Sequence, residues 1–156
     1  ITEKTMLKFY EGTLQGVAAV ALYSGVCKVN AAIAAQILID TFQVDAVINA
    51  GTAGGMDERL EIFDTVAAET AAYHDVAEDI LTEFHPWMTT PRFAADPRLL
   101  AAAHVCYVNQ VPFLALRTIT DTARRSGVET FEENCRKASE IARDLTLLVL
   151  EELKER

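Results

Sequence analysis

The last third of the chain contains the side chains best suited to chemistry. An apolar run over residues 112–116 predicts a buried strand, and it continues into Arg-Thr-Ile-Thr-Asp at residues 117–121. Such a strand end presents polar groups from a rigid element, so Asp121 is a candidate general acid, with Arg117 and Thr120 close by in the sequence. The alternative is a solvated strand end in which Arg117 and Asp121 form only a local ion pair.

A glycine-rich stretch is the second candidate. Residues 49–55 read Asn-Ala-Gly-Thr-Ala-Gly-Gly and follow the apolar run 44–48, which predicts a strand that ends in a loop with three glycines. Open α/β sheets bind ligands at such strand ends, and Thr52 adds a hydroxyl at the centre of the loop. The stretch lacks the Lys and Ser/Thr of a P-loop, so a tight connection without a ligand is the alternative.

The histidines and cysteines do not follow a metal-ligand pattern. They lack the i, i+4 histidine pair and the Cys-x-x-Cys pair that zinc sites use. We therefore expect no metal site and no other cofactor, and we expect reduced structural thiols. The residues concerned are His74, His85, His104, Cys27, Cys106 and Cys135.

Composition narrows the function classes. The chain has 156 residues, of which 51% are hydrophobic and 24% charged, and this balance predicts one globular domain. A net charge of −9 opposes binding to nucleic acid, because that affinity rests on basic residues that neutralise phosphates. No apolar run reaches the ~18 residues of a membrane span and no signal segment opens the chain, so we expect no membrane association and a cytoplasmic location.

Strand and helix patterns alternate along the chain. We expect a loop over residues 84–92. Each of two predicted helices has an inward face, made of Val29, Ile33 and Ile37 in the first and of Phe131, Ala138, Ala142, Leu145 and Val149 in the last. A capping box from Thr130 to Glu133 is predicted to open the last helix. This alternation predicts one layered α/β domain. The predicted strands are 7–14, 17–23, 44–49, 64–73 and 112–119, and the predicted helices are 28–42, 97–109 and 130–153.

Five motifs, taken in order, resemble those of bacterial 5′-methylthioadenosine/S-adenosylhomocysteine nucleosidases, in the purine nucleoside phosphorylase superfamily. The resemblance covers roughly residues 9–75 and 103–153. It implies an α/β three-layer sandwich with a central mixed, twisted sheet flanked by helices. The motifs are Ser-Gly-Val-Cys-Lys-Val-Asn-Ala-Ala at 24–32, the stretch 49–55, Tyr-His-Asp at 73–75, Ala-His-Val-Cys at 103–106 with Val-Pro-Phe at 111–113, and the stretch 117–121.

The resemblance also implies a reaction. Water would cleave the N-glycosidic bond of 5′-methylthioadenosine or S-adenosylhomocysteine and release adenine and a thioribose. By resemblance Asp121 protonates N7 of the purine, Thr120 orients Asp121, and Arg117 helps to hold the nucleophilic water. Thr52 would line the ribose site.

Two apolar residues complete the site that the resemblance implies. Val26 matches a wall of the nucleoside pocket, and Phe131 matches an aromatic residue near the alkylthio group, although packing in the core is the alternative for both. The expected partners are a small adenine thionucleoside and a second copy of the chain in a homodimer. The exposed apolar loop over residues 84–88 is a candidate contact in that dimer.

The sequence also departs from the family pattern. The family has a strand with the glutamate that activates the water and a Met-Glu segment that binds the ribose, and neither is present. Because the chain starts at Ile1 and runs directly through Ala101 to Ala103, we expect residues 1–156 to be a single, incomplete domain with a gap near 101–103. Two other functions remain open: a phosphate-dependent purine nucleoside phosphorylase, in which Asn49 would usually be Arg, or a non-catalytic nucleoside-binding remnant.

Overall fold

Six strands and three helices are found in the part of the chain that the structure describes. The computed structural model describes residues 1–68, 71, 97–125 and 127–154. His74, His85 and the predicted loop over 84–92 lie outside these residues. The strands are β1 (Thr2–Lys4), β2 (Leu7–Leu14), β3 (Val17–Leu22), β4 (Val47–Gly55), β5 (Thr65–Ala67) and β6 (Phe113–Thr122), and the helices are α1 (Lys28–Phe42), α2 (Pro97–Val108) and α3 (Val128–Lys154).

The first sheet is an antiparallel meander in the order β1-β2-β3. The predicted hairpin is confirmed, since Leu14 pairs with Val17 and Phe9 pairs with Leu22. Gln15 and Gly16 form the turn with φ angles of 50° and 83°. Two consecutive residues with positive φ are typical of the two-residue turns that match the twist of a hairpin.

The second sheet contains the candidate site and has the order β4-β6-β5. β4 and β6 run in the same direction, because Val47 N donates to Pro112 O near their starts and Ala123 N donates to Gly55 O near their ends. β5 is antiparallel to β6, with Thr65 opposite Thr118. The sheet is therefore mixed, and the predicted α/β class with a mixed sheet is confirmed.

The predicted glycine loop is a strand. Residues 49–55 are part of β4, and the described glycines with positive φ are Gly16, Gly25 and Gly127, none of which lies in this stretch. The prediction was wrong because glycine tolerates extended backbone as readily as a turn, and pairing with β6 gives β4 the hydrogen bonds that keep it extended. The strand predicted over 112–119 likewise continues to Thr122, so residues 117–121 lie within β6 and not at its end.

The predicted α1 has the correct ends, but the wrong face was expected to be buried. Val29 and Ile33 are 68% and 40% exposed, whereas Ile37 is buried as expected. The buried contact with α2 is made largely by alanines, namely Ala31, Ala35, Ala101 and Ala102. Small side chains let two helix backbones approach closely, so this contact excludes the bulkier residues next to them.

The last helix begins earlier than predicted. Phe131 N donates to Gly127 O and closes the first turn, so the helix starts at Val128 and Thr130 does not cap it. Phe131 was expected to face inward and is 42% exposed, while Ala138, Ala142 and Leu150 are buried. Ala138 and Ala142 were expected to face inward and do so, so the predicted face is correct apart from Phe131 in the first turn.

The chain divides into two compact units. One contains Ile1–Tyr23, Ile48–Ala67 and Leu114–Arg156, and the other contains Ser24–Val47 and Ala68–Phe113. A single domain over residues 1–156 stays a prediction. Among the described helices, none combines the length and apolar character needed to cross a membrane.

A substitution pair tests which face of α1 is buried. Ala35→Leu adds bulk where the helices meet, and we expect it to lower the free energy of unfolding by about 1–3 kcal/mol. Ile33→Ala removes a larger side chain from the exposed face and should change that free energy by less than about 0.5 kcal/mol. Urea unfolding measures both. A larger loss for Ile33→Ala would show that Ile33, and not the alanine face, is packed.

Candidate active site

Arg117 on β6 is held by Asn49 on the neighbouring strand β4. Its Nη1 donates to Asn49 O at 2.8 Å and to Leu116 O at 3.0 Å, and its Nη2 donates to Asn49 Oδ1 at 2.7 Å. Arg117 is only 9% exposed. A buried cation must exchange its water for other acceptors, and here Asn49 supplies a backbone and a side-chain oxygen.

These contacts argue against the alternative in which Arg117 and Asp121 form a local ion pair. Four residues along a strand span roughly 13 Å, so the two Cα atoms are much further apart than in one turn of a helix. The guanidinium is directed across the sheet to Asn49 instead. Arg117 and Asp121 therefore act at different positions along the same strand.

Asp121 is bonded by the residue before it. Thr120 Oγ1 donates to Asp121 Oδ1 at 2.7 Å and lies 3.3 Å from Ala53 O on β4. Thr120 is fully buried, whereas Asp121 is half-buried. A hydroxyl that donates to one carboxylate oxygen limits rotation of the carboxyl group, and the other oxygen, Oδ2, is left to face β4.

A glycine on β4 makes room for that carboxylate. A Cβ atom at Gly54 would lie 3.2 Å from Asp121 Oδ2, which is closer than ordinary contact. A Cβ at Gly51 would lie 3.6 Å from Arg117 Nη1, an ordinary van der Waals distance. Sequence analysis missed this role because it placed both glycines in a loop. Glycine within a strand signals close approach by another group, and that signal was available.

Asn134 on α3 also contacts the Thr120-Asp121 segment. Its Nδ2 donates to Thr120 O at 2.9 Å and to Thr130 O, one turn back in the helix, at 2.9 Å. Sequence analysis did not single out Asn134. The available signal was an asparagine inside a helix, where its side chain competes for backbone partners.

The other predicted site residues are placed as follows. Thr52 is half-buried on β4, and Phe131 lies on α3 in the same compact unit. Val26 belongs to the other unit and is 53% exposed. The exposure of Val26 and Phe131 is larger than expected for core residues. The structure therefore brings Arg117, Thr120 and Asp121 together with β4, and it leaves Val26 and Phe131 with exposed apolar surface.

Burial shifts the pKa values of two titratable groups outside this cluster. Burial lowers the pKa of His104 below its ordinary value, which favours the neutral imidazole. Burial also raises the pKa of the Cys106 thiol to about 11, so that thiol is protonated and unreactive near neutral pH. In the described part of the chain no three His, Cys, Asp or Glu residues are grouped so that they could hold a metal ion.

Comparison with known families places the chain. The family model described as the phosphorylase superfamily matches residues 2–104 and 99–151, which together include most of the sequence. The chain belongs to the phosphorylase superfamily. The two matched segments overlap at 99–104, a stretch that includes the expected gap near 101–103, and that gap stays a prediction.

Similar proteins within this superfamily are nucleosidases. The 5′-methylthioadenosine/S-adenosylhomocysteine nucleosidase of Anoxybacillus flavithermus is 29% identical over 211 aligned positions, covering 99% of this chain and 90% of the relative. A crystal structure of the corresponding Colwellia psychrerythraea nucleosidase in complex with adenine superposes with a TM-score of 0.78 at 26% identity, covering 94% of this chain and 83% of that one.

A third comparison concerns the fold. The Streptococcus pneumoniae nucleosidase, solved with a transition-state inhibitor, gives a TM-score of 0.82 at 22% identity, covering 97% of this chain and 89% of that one. The expected nucleoside phosphorylase-like fold is confirmed. The alignment of 211 positions is longer than the 156 residues present, so the Anoxybacillus flavithermus relative has positions without a counterpart in this sequence.

A matched pair of glycine substitutions tests the close approach of β4 to Asp121. Gly54→Ala should displace the carboxylate from Thr120 and lower the free energy of unfolding by about 1–3 kcal/mol. Gly51→Ala has room for its methyl group and should be neutral or up to about 1 kcal/mol stabilising, because alanine restricts the unfolded chain. Denaturant unfolding measures both variants.

The same pair can be repeated in an Asp121→Ala background. If the carboxylate is what the new methyl group meets, the cost of Gly54→Ala should largely disappear there. An equal cost in both backgrounds would mean that Gly54 is constrained by something else.

Proposed function

We propose that the chain hydrolyses the N-glycosidic bond of 5′-methylthioadenosine or S-adenosylhomocysteine, releasing adenine and a thioribose. The observation that carries this proposal is the Thr120-Asp121 pair on β6, held against the glycine strand β4. The chain also aligns over 99% of its length with a nucleosidase of this specificity. A candidate acid and a nucleosidase-like scaffold therefore both support the proposal.

The geometry suits Asp121 as the proton donor. Adenine is a poor leaving group unless a ring nitrogen is protonated as the bond breaks, and the ribose then develops oxocarbenium character. Thr120 bonds Oδ1, so Oδ2 can carry the proton to N7 of the purine. Oδ2 lies next to Gly54, where the absence of a side chain leaves room for the carboxyl group beside β4.

Arg117 is proposed to help hold the nucleophilic water. Its guanidinium is fixed by Asn49, and fixed donors cost little reorganisation during the reaction. Removing a proton from the water requires a base. The resemblance expects a glutamate for this step, on a strand that the 156 residues do not contain.

The remaining proposed roles concern substrate binding. Thr52 would line the ribose site, Val26 would form an apolar wall for the nucleoside, and Phe131 would contact the alkylthio group. The exposed apolar surface of Val26 and Phe131 supports these roles, since a ligand could cover it. We also propose a homodimer in the cytoplasm and no cofactor, on the resemblance to the nucleosidases.

A phosphate-dependent phosphorylase is the second candidate, because the chain belongs to the phosphorylase superfamily. A phosphate dianion loses hydration on entering a pocket and needs cationic donors in return. Asn49 supplies none, and it already engages two nitrogens of the Arg117 guanidinium. Water as the nucleophile therefore fits this strand better.

The acid role of Asp121 has a direct test in the full-length protein. Asp121→Asn can still accept and donate hydrogen bonds to a purine but cannot supply the proton, so turnover should fall by ~10² to 10⁴. Adenine affinity should stay within a few-fold of wild type. Steady-state kinetics and calorimetric titration with adenine measure the two effects. Near-normal turnover would remove Asp121 from the mechanism.

The nucleophile can be identified from the product. We expect adenine release from 5′-methylthioadenosine in phosphate-free buffer, with free methylthioribose as the sugar product. Mass spectrometry of reactions run with and without phosphate makes the measurement. Strict dependence on phosphate, with a sugar 1-phosphate as the product, would favour the phosphorylase and leave the fold unchanged. An intact mass near 17.1 kDa together with no adenine release would favour a non-catalytic nucleoside-binding protein.

A further inference from the structure

We propose that Asn134 is a positioning residue that sets the orientation of Asp121 through the backbone of Thr120. The inference rests on the proposed role of Asp121 as the proton donor. It concerns a residue on α3, a different element from the strand that carries the acid. Its evidence is the pair of hydrogen bonds from one amide group to β6 and to its own helix.

The Asn134 amide group is fixed at both of its N–H bonds. Nδ2 donates to Thr120 O and to Thr130 O, each at 2.9 Å. An NH₂ group has two donors, so this arrangement uses both of them. The side chain therefore has one orientation, and that orientation links the first turns of α3 to the middle of the site.

The oxygen that Asn134 binds belongs to the peptide that joins Thr120 to Asp121. Because a peptide unit is planar, fixing its oxygen also fixes the direction in which the chain enters Asp121. The Thr120 hydroxyl holds the carboxyl group itself at 2.7 Å. Asn134 thus controls the base of the Asp121 side chain, and Thr120 controls its tip.

Asparagine is a weak choice for this position on local grounds. It is among the poorer helix formers, and Asn134 lies inside α3, in its second turn. Leucine has a similar size and would favour the helix but cannot donate to Thr120 O. The bond to β6 offsets the local disadvantage, which is consistent with a role in the site.

The primary test compares Asn134→Leu with a matched control on the same helix. Ser139→Ala removes a side chain that also donates to a backbone oxygen four residues back, Cys135 O at 2.7 Å, but is exposed. With 5′-methylthioadenosine as substrate, Asn134→Leu should lower kcat about 10-fold and leave KM within about twofold. Ser139→Ala should change neither. Asn134→Asp, which lacks the donor, should behave like the leucine variant.

A double-mutant cycle separates positioning from general stability. In an Asp121→Asn background, Asn134→Leu should cause no further loss of kcat, because it acts through the proton donor. All assays are run well below the melting temperature of each variant. The same fold-loss in both backgrounds, or an increase in KM with unchanged kcat, would overturn the proposal.

Failure of the proposed function would be distinguishable from failure of this inference. If the wild-type protein releases no adenine, the function is wrong, and the positioning is tested by carbon-13 NMR of the Asp121 carboxyl group. Asn134→Leu should then shift that signal, whereas Ser139→Ala should not. An unchanged Asp121 signal in Asn134→Leu would overturn the inference by itself.

Discussion

The parallel pairing of β4 with β6 is the constraint on which the candidate site depends. It brings residues 49–55 against residues 117–121, although more than 60 residues separate them in the sequence. The Arg117 guanidinium is buried in this pairing, and Asn49 compensates for its lost hydration with two oxygens. The bonds between Arg117 and Asn49 thus link the two strands, and the pairing of the strands in turn places Asn49 beside the guanidinium.

The two ionisable residues of β6 are kept apart by strand geometry. Arg117 contacts Asn49 near the beginning of β4, and Asp121 lies next to Gly54 near the end of that strand. One strand can thus present a cation and an acid without allowing them to neutralise each other. Such a separation suits a reaction in which the purine is protonated at one place and water attacks the sugar at another.

Membership in the phosphorylase superfamily sets the chemistry that this arrangement can support. Both hydrolysis and phosphorolysis protonate a leaving purine, so the proposed role of Asp121 does not distinguish them. The neighbour of Arg117 does, because a neutral amide at position 49 binds a guanidinium without adding charge for a phosphate. The proposal of water as the nucleophile therefore rests on Asn49 of β4 and not on Asp121.

The sequence by itself determined the α/β class, the hairpin and the ends of α1, since hydrophobic period and local turn residues report these features directly. It misassigned the glycine stretch, the buried face of α1 and the start of α3. Tertiary structure decided the first two, because β6 supplies hydrogen bonds to β4 and the closeness of α2 favours alanine in α1. The start of α3 is set locally, by the bond from Phe131 N to Gly127 O. The contact from Asn134 to Thr120 likewise joins a helix to a strand, and no local pattern records where a donor on one element finds its acceptor on another.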